Sequence, residues 1–544
     1  MKRIGIDVGG TNTDAVMVAD GKVEAAVKAP TTPDVTGGIL AAMRLLREQT
    51  GDAAGIGAVL VATTHFVNAV IQRRRLSKTA AIRIGAPATT ALPPFTDWPP
   101  DLAALVDGGA WLIEGGHDYD GRRFRPLNMA QLRQAAKDIR ARGLGHAAVT
   151  SMFSPLDPSD EETAAAILRE EIPDIAVTTS HTLGGIGLLE RENAALLNAS
   201  LVALARETVR GFERAMAETG LAAPLYITQN DGTVVAATRA AAQPVFSFAS
   251  GPTNSMRGAA YLSGLQNAVV ADVGGTTTDF GHLQAGFPRQ ANTVVHVGGV
   301  RTLFRMPDLV SIGLGGGSLV DPVEMTLGPR SVGFRLTEEA LVFGGDRLTA
   351  TDIAVAAGLV DIGDRRKVAS LSPALVDGVI ARARATLEEH VDRVKTEAGD
   401  VILLAVGGGS FLVPDRLQGV DRVLRVEHGS CANAVGAAIA QVAGEVDQVF
   451  QGVPRAEAIA EARALADERA VAAGADPDSL TMVEAEDIPI AYLPGNALRV
   501  KVKVVGDIEA KAFSGKVSST FPVRKRDKPK NLERFAIPAN RKPL

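Results

Sequence analysis

A chain of 544 residues is long enough for two or more domains, and 46 % hydrophobic with 22 % charged residues is an ordinary globular balance able to fill large cores. A formal net charge of −5 gives no electrostatic reason to expect nucleic acid, and no stretch approaches the ~18 apolar residues that cross a bilayer. A single cysteine, Cys431, cannot form an internal disulfide and suits a reducing cytoplasm, which is the compartment expected.

The first residues lead straight into a strand that ends in "GIDVGGTNTD", Gly5 to Asp14, with no apolar signal-peptide core before it. Asp7 closes the strand, where a carboxylate can point into a cleft. Gly9 and Gly10 allow a tight turn whose N–H groups form a nest for phosphate oxygens, and Thr11, Asn12, Thr13 and Asp14 complete it. Farther along come a strand at 58–64, a Pro-rich surface loop at 87–101 and "GGHDYDG" at 115–121. The last contains His117, Asp118 and Asp120 and reads as a β-turn. Arg73, Arg74 and Arg75 read as a solvated basic run, and His65 and His181 as structural hydrogen-bonding groups. A helix over 129–140, a strand over 147–153 and a helix over 161–171 follow, then a long helix from Leu188. At its start stand Glu190 and Glu192, surface glutamates by default, of which one is a candidate general base, Glu190 by preference.

"VADVGGTTTD", Val270 to Asp279, then repeats the opening turn: Asp272 ends a strand, and Gly274, Gly275, Thr276, Thr277, Thr278 and Asp279 follow. An Asp beside a phosphate is repelled unless a cation lies between them, so Asp7 and Asp272 imply Mg²⁺. No Gly-Lys-Ser or Gly-Lys-Thr follows either turn, which excludes a Walker P-loop. A helix over 373–398 precedes a strand at 401–407 that opens into Gly407, Gly408, Gly409 and Ser410. These four are expected to start a helix and aim N–H groups at an anion. A small-residue helix is expected over 431–444, with Cys431 packed inside, then an Ala-rich helix over 456–475 and an alternating strand, "NALRVKVKVVGDI". The chain ends in a basic arm from about Val523, which reads either as a solvated tail or, with that strand, as a docking surface for a partner subunit.

This alternation of strand and helix predicts an α/β protein. The order hairpin, long helix, hairpin, glycine turn, small-residue helix resembles the actin, heat-shock-70 and sugar-kinase superfamily. That resemblance implies two duplicated actin-like (ribonuclease H-like) lobes around an ATP cleft, with a short α+β C-terminal extension. The stretches "ATTHFVNAVIQRR" (62–74), "SFASGPTNSMRGAA" (247–260), "SIGLGGGSLV" (311–320), "LGPRSVG" (327–333) and "GGDRLTATDIAVAAG" (344–358) are more specific. They resemble the hydantoinase A and 5-oxoprolinase family from the first strand to about residue 445. The resemblance implies an N-terminal lobe over 1–185, a second lobe over 186–448 and an extension over 449–544. It also implies an ATP-dependent amidohydrolase subunit that phosphorylates the carbonyl oxygen of a cyclic amide, making it open to attack by water. Its cofactors would be ATP and Mg²⁺, its partner a hydantoinase B-type subunit, and a homo-oligomer is open to it as well. A carboxylase subunit using the same activation is the competing enzyme, and a nucleotide-driven chaperone or reactivating factor the non-enzymatic alternative. Val67 stands where the family has Thr, and "FRLTEEALVFGG" and "DPSDEE" replace family segments, so the nucleotide motifs are intact and the substrate is open.

Overall fold

The computed structural model describes residues 1–9, 12–30, 35–51, 55–291, 295–303, 306–490 and 497–509. The chain begins with a meander of β1 (Lys2–Val8), β2 (Asn12–Ala19) and β3 (Lys22–Pro30), followed by α1 (Val35–Thr50), β4 (Ile56–Thr63) and α2 (His65–Ile71). Residues 79–179 then build a separate layer of β5 (Thr79–Ala86), α3 (Pro100–Val106), β6 (Asp107–Glu114), α4 (Met129–Ala141), β7 (His146–Ser151), α5 (Ser159–Glu171) and β8 (Ala176–Thr179). Its four strands are all parallel, in the order β6-β5-β7-β8. Both faces are covered, as parallel strands require: Ile82, Ile84 and Val149 pack on Leu132, Ile139 and Leu168 of α4 and α5.

The long α6 (Leu188–Glu218) follows, then β9 (Leu225–Thr228), β10 (Thr233–Ala236), α7 (Ala237–Ala242) and α8 (Ser250–Ser263). The second hairpin is β11 (Ala268–Val273) with β12 (Thr278–Gln284), extended by β13 (Phe287–Pro288). Short pieces come next: β14 (Val295–Val297), β15 (Val300–Thr302), β16 (Leu309–Ile312), β17 (Ser318–Asp321), β18 (Thr326–Ser331), α9 (Leu336–Glu339) and α10 (Ala350–Ala356). Thr349 and Asp352 start α10 with a reciprocal capping box. Ser372 caps and Pro373 opens α11 (Pro373–Val394). β19 (Val401–Val406), β20 (Val420–Leu424), α12 (Ala432–Ala438), β21 (Gln441–Phe450), α13 (Arg455–Ala472), β22 (Thr481–Pro489) and β23 (Leu498–Gly506) complete the fold.

Two sheets repeat one topology. The first contains the run β3-β2-β1-β4-β9 and the second β13-β12-β11-β19-β20. In each, the first two pairings of the hairpin are antiparallel, and the fourth and fifth strands add in parallel. This is the duplicated ribonuclease H-like arrangement expected from the paired turns. The first sheet extends beyond that unit through β10, β21, β23 and β22 to nine strands, so the last three strands of the described chain are built into it.

Three local expectations give way to the packing. The expected helix over 431–444 stops at Ala438, because the chain then alternates buried and half-buried residues with the period of a strand and becomes β21. Gly407 to Ser410 do not open a helix; one 3₁₀ turn, Ser410–Leu412, follows. The strand 498–506 is no free docking edge, since it pairs with β21 on one side and β22 on the other.

Candidate active site

The two hairpins match residue for residue. Asp7 lies opposite Asp14 and Val8 opposite Thr13; Asp272 lies opposite Asp279 and Val273 opposite Thr278. Both turns close with the same backbone bond, Gly9 N–H to Asn12 C=O at 3.1 Å and Gly274 N–H to Thr277 C=O at 2.9 Å. Because strand side chains alternate, each aspartate pair shares one face and Thr13 and Thr278 take the other. Thr278 is accordingly buried and donates to the Leu314 carbonyl at 2.6 Å, and Thr13 is buried against Gly38. Their hydroxyls thus serve the fold, while Asn12, Thr276 and Thr277 are exposed at the tips. Gly10 and Thr11 fall outside the described residues.

The pairs converge. Burial, then the negative charges of Asp14 and Asp272, push the Asp7 carboxyl up to about 7, while Lys28 and a 3.1 Å hydrogen bond from Asn433 oppose them. Burial and then Asp279 push Asp272 up to about 6, with Ser255 and Lys28 drawing it back and Asp14 adding to the rise. Asp14 and Asp279 are also raised, each by burial, against Lys28 and Ser311 respectively. Four carboxylates from the two ends of the fold therefore share one electrostatic environment.

Crossed helices supply their partners. Asn433 belongs to α12, which follows the second sheet but packs on β1, and Ser255 belongs to α8, which precedes the second hairpin. Glycines let these elements touch: a Cβ on Gly5 would stand 2.0 Å from the Ala434 carbonyl oxygen, and one on Gly436 1.9 Å from that of Asn254. The "GLGGGS" stretch braces the second tip, with Gly316 N–H on Gly274 C=O at 3.0 Å and Gly317 N–H on Gly275 C=O at 2.7 Å. From the other side Gly409 N–H donates to Val273 C=O at 2.8 Å. Gly407 stands against Asp272, while Gly408 faces open space and Ser410 is half-buried.

The donor set fits a hard cation. It is all oxygen, the carboxylates repel one another, and Asp14 Oδ1 is buried without a hydrogen-bond partner. Among the described residues no three His, Cys, Asp or Glu side chains could hold a metal unaided. A Mg²⁺ here would complete its shell with water and phosphate oxygens, its usual habit.

Other sequence candidates have structural occupations. Glu190 pairs with Arg301 at 2.9 Å. Glu192 is buried and grips Arg83 through two hydrogen bonds, so it is not a free general base. His181 bonds Glu161 at 2.8 Å within a buried network that includes Ser180 and Arg191. His65 is half-buried with its pKa lowered by that burial. Asp118 accepts from Gly121 N–H in the expected turn. Arg73 and Arg75 pair with Asp101 and Glu207, and Cys431 is packed among Val16, Val435 and Ala438. A cavity of about 340 Å³ near Ala356, Arg365 and Asp377 includes none of the four aspartates.

Residues 3–172 match the hydantoinase/oxoprolinase N-terminal region and residues 191–366 the hydantoinase/oxoprolinase model. The chain belongs to the hydantoinase/oxoprolinase family. Its relatives in that family include caprolactamase subunit alpha of Pseudomonas jessenii, 26 % identical over 79 % of this chain and 69 % of that one. The acetophenone carboxylase gamma subunit of Aromatoleum aromaticum is 26 % identical over 66 % of this chain. The chain spans about half of that subunit's length, 53 %. The fold is also that of the ATP-dependent caprolactamase from Pseudomonas jessenii (TM-score 0.74, 20 % identity, 93 % of this chain and 88 % of the other). It is likewise that of nucleotide-free acetone carboxylase (TM-score 0.68, 19 % identity, 93 % and 88 %). The relatives thus include a subunit named for a lactam-opening enzyme and one named for a carboxylase. Among the described residues no helix is long and apolar enough to cross a membrane.

Proposed function

We propose that this chain binds Mg-ATP between its two hairpins and transfers the terminal phosphoryl group to the carbonyl oxygen of a cyclic amide, as one subunit of an ATP-dependent amidohydrolase. The observation that carries the reading is the identical register of Asp7–Asp14 and Asp272–Asp279, with all four carboxylates in one environment that a cation would relieve. Asp7 and Asp272 would hold Mg²⁺, which supplies charge neutralisation for the phosphates. The glycine turns at Gly9, Gly274 and Gly407 to Gly409 leave backbone, not side chains, facing the nucleotide.

A lactam is a poor electrophile with a poor leaving group. Phosphorylation of its oxygen releases ADP and leaves an imidate-like phosphate. Water then adds to the carbon, the C–N bond breaks, and a second water frees phosphate. The net reaction is cyclic amide plus ATP plus two waters to amino acid plus ADP plus phosphate. Positioning and charge neutralisation are the chain's share of this chemistry. A hydantoinase B-type subunit would supply the site for attack by water. The similarity to acetophenone carboxylase gamma subunit favours a second reading, in which the activated oxygen belongs to a substrate that is carboxylated. ADP release, measured with the co-expressed partner over a panel of lactams, hydantoins and ketones with labelled bicarbonate, separates the two. Amino-acid product supports the hydrolase, label in a carboxylate supports the carboxylase, and no substrate-stimulated ADP release with any compound sinks both.

A further inference from the structure

The duplication of the two hairpins fails at one position. On the strand beside Asp14, the residue in register is Lys28 of β3, whose Nζ donates to Asp14 Oδ2 at 2.5 Å. On the strand beside Asp279, the residue in register is Ser311 of β16, whose hydroxyl donates to Asp279 Oδ1. Each aspartate thus has a cross-strand donor, but one donor carries a positive charge and the other carries none. Lys28 also acts on Asp7 and Asp272. Its side chain is 36 % exposed, against 10 % for that of Asp14, so part of the lysine remains open to solvent while the carboxylate it holds does not.

We propose that Lys28 is a catalytic residue that binds the terminal phosphoryl group of ATP, and that the first hairpin is the reacting side of the site. This rests on the nucleotide reading above. Phosphoryl transfer spreads charge over the equatorial oxygens of the transferred group, and a positioned cation stabilises that charge as it redistributes. A lysine ammonium is a compact charge on a flexible stem, able to leave one carboxylate oxygen for a phosphate oxygen a short distance away. Asp14 would not lose its role when that happens. Its second oxygen, Oδ1, is buried with no hydrogen-bond partner, and Asp14 as a whole is 7 % exposed. The carboxylate therefore has unused acceptor capacity, suited to a water of the cation's shell. The second hairpin, with a neutral serine in the equivalent place and the Gly407–Gly409 turn against Val273, suits the part of the nucleotide that does not react.

The test is binding as well as turnover. Calorimetric titration of the full chain with Mg-ADP and with a Mg-bound non-hydrolysable ATP analogue is compared for wild type, Lys28→Met and Lys28→Arg. Loss of a terminal-phosphoryl contact predicts ADP affinity within about threefold of wild type, analogue affinity down about tenfold or more, and ATP turnover down about 10²–10³-fold. The Arg variant, which keeps the charge, should recover part of the analogue affinity. Lys28→Gln, which keeps a donor to Asp14, is read in the same way if the Met variant does not fold. Equal losses for ADP and analogue, or no loss for either, overturn the assignment of Lys28 and leave the nucleotide site standing. Failure of wild type to bind either nucleotide overturns the nucleotide reading and this assignment with it.

Discussion

A Cβ on Gly407 would stand 2.4 Å from Asp272 Oδ1 and equally close to the Val273 carbonyl oxygen. The backbone there is left-handed, at φ +85°, so alanine meets strain as well as collision. Its neighbour Gly408 has nothing within 4 Å of the same construction. Gly407→Ala should therefore displace the second aspartate and weaken Mg-ATP binding at least tenfold, whereas Gly408→Ala should bind within about threefold of wild type unless the nucleotide fills that space. Equilibrium dialysis with labelled nucleotide measures both. Undiminished binding by Gly407→Ala would remove the glycine turn from the site.

Asp7 and Asp272 also make a prediction about pH. Their pKa values, about 7 and about 6, lie above the ordinary carboxylate value, so the folded chain holds protons that the unfolded chain has released. The nucleotide-free protein should accordingly lose stability as pH rises from about 4 to about 7. Mg²⁺ must displace those protons, so its binding should strengthen over the upper part of the same window. At a hundredfold excess over its dissociation constant, Mg-ATP should stabilise the fold by about 2.7 kcal/mol. The thermal shift at a fixed Mg-ATP concentration should be larger near pH 8 than near pH 5.5. A shift that is equal at both, or larger in acid, contradicts a carboxylate-held cation.

Neutralising one of these carboxylates should separate stability from function. Asp7→Asn or Asp272→Asn relieves repulsion among the four aspartates and should stabilise the nucleotide-free chain near pH 8 by about 1–3 kcal/mol. The same changes should abolish ATP turnover, because a neutral amide cannot replace a carboxylate on the cation. Urea unfolding and a coupled ADP assay on each variant give the two readouts. Near-normal turnover in both single variants would defeat the metal assignment.

The duplicated hairpins were legible because a turn is a local motif: Asp, two glycines and a Thr-Asp pair recur in one short window. Lys28 was not, because "KVEAAVKAP" reads as an ordinary strand with exposed charges, and its pairing with Asp14 depends on the register between strands. The Gly407 turn is legible as a close approach, but its sequence fits a helix start equally well, since glycines after a strand serve either geometry. The expected small-residue helix runs into the first four residues of "QVAGEVDQVF". The alternation of that stretch becomes meaningful once β10 and β23 lie on either side of it. Glu192 looked like a surface base on a helix, and only the layer of β5 to β8 packed on α6 reveals Arg83 opposite it.

That Arg83–Glu192 pair predicts a purely structural failure. Arg83 is fully buried and donates to Glu192 and to the Thr89 and Leu92 carbonyls. Glu192→Ala leaves the guanidinium in the interior without its counter-charge, which should cost about 3–5 kcal/mol. The urea midpoint should fall by that cost divided by an unchanged slope, while nucleotide affinity of the folded fraction stays near wild type. A loss under about 1 kcal/mol would mean that water reaches Arg83 and that the layer is looser than its packing.

The last prediction concerns what the chain does alone. The chemistry proposed for it is phosphate chemistry, carried by paired carboxylates, glycine turns and Lys28, and among the described residues no cluster of three potential metal ligands stands ready to activate a water for ring opening. The relatives named as subunits, caprolactamase alpha and acetophenone carboxylase gamma, are each one part of a larger assembly. A phosphorylated carbonyl is labile, and a subunit interface would shield it from bulk water until the intended nucleophile is in place. The isolated chain should therefore hydrolyse ATP slowly and without opening a cyclic amide, and addition of the partner subunit should couple the two. Mass spectrometry of a lactam panel with Mg-ATP, with and without the partner, follows both products. Rapid coupled ring opening by the isolated chain would refute the division of labour. Slow ATP hydrolysis that becomes fast and stoichiometric with amino-acid release when the partner is present would establish it.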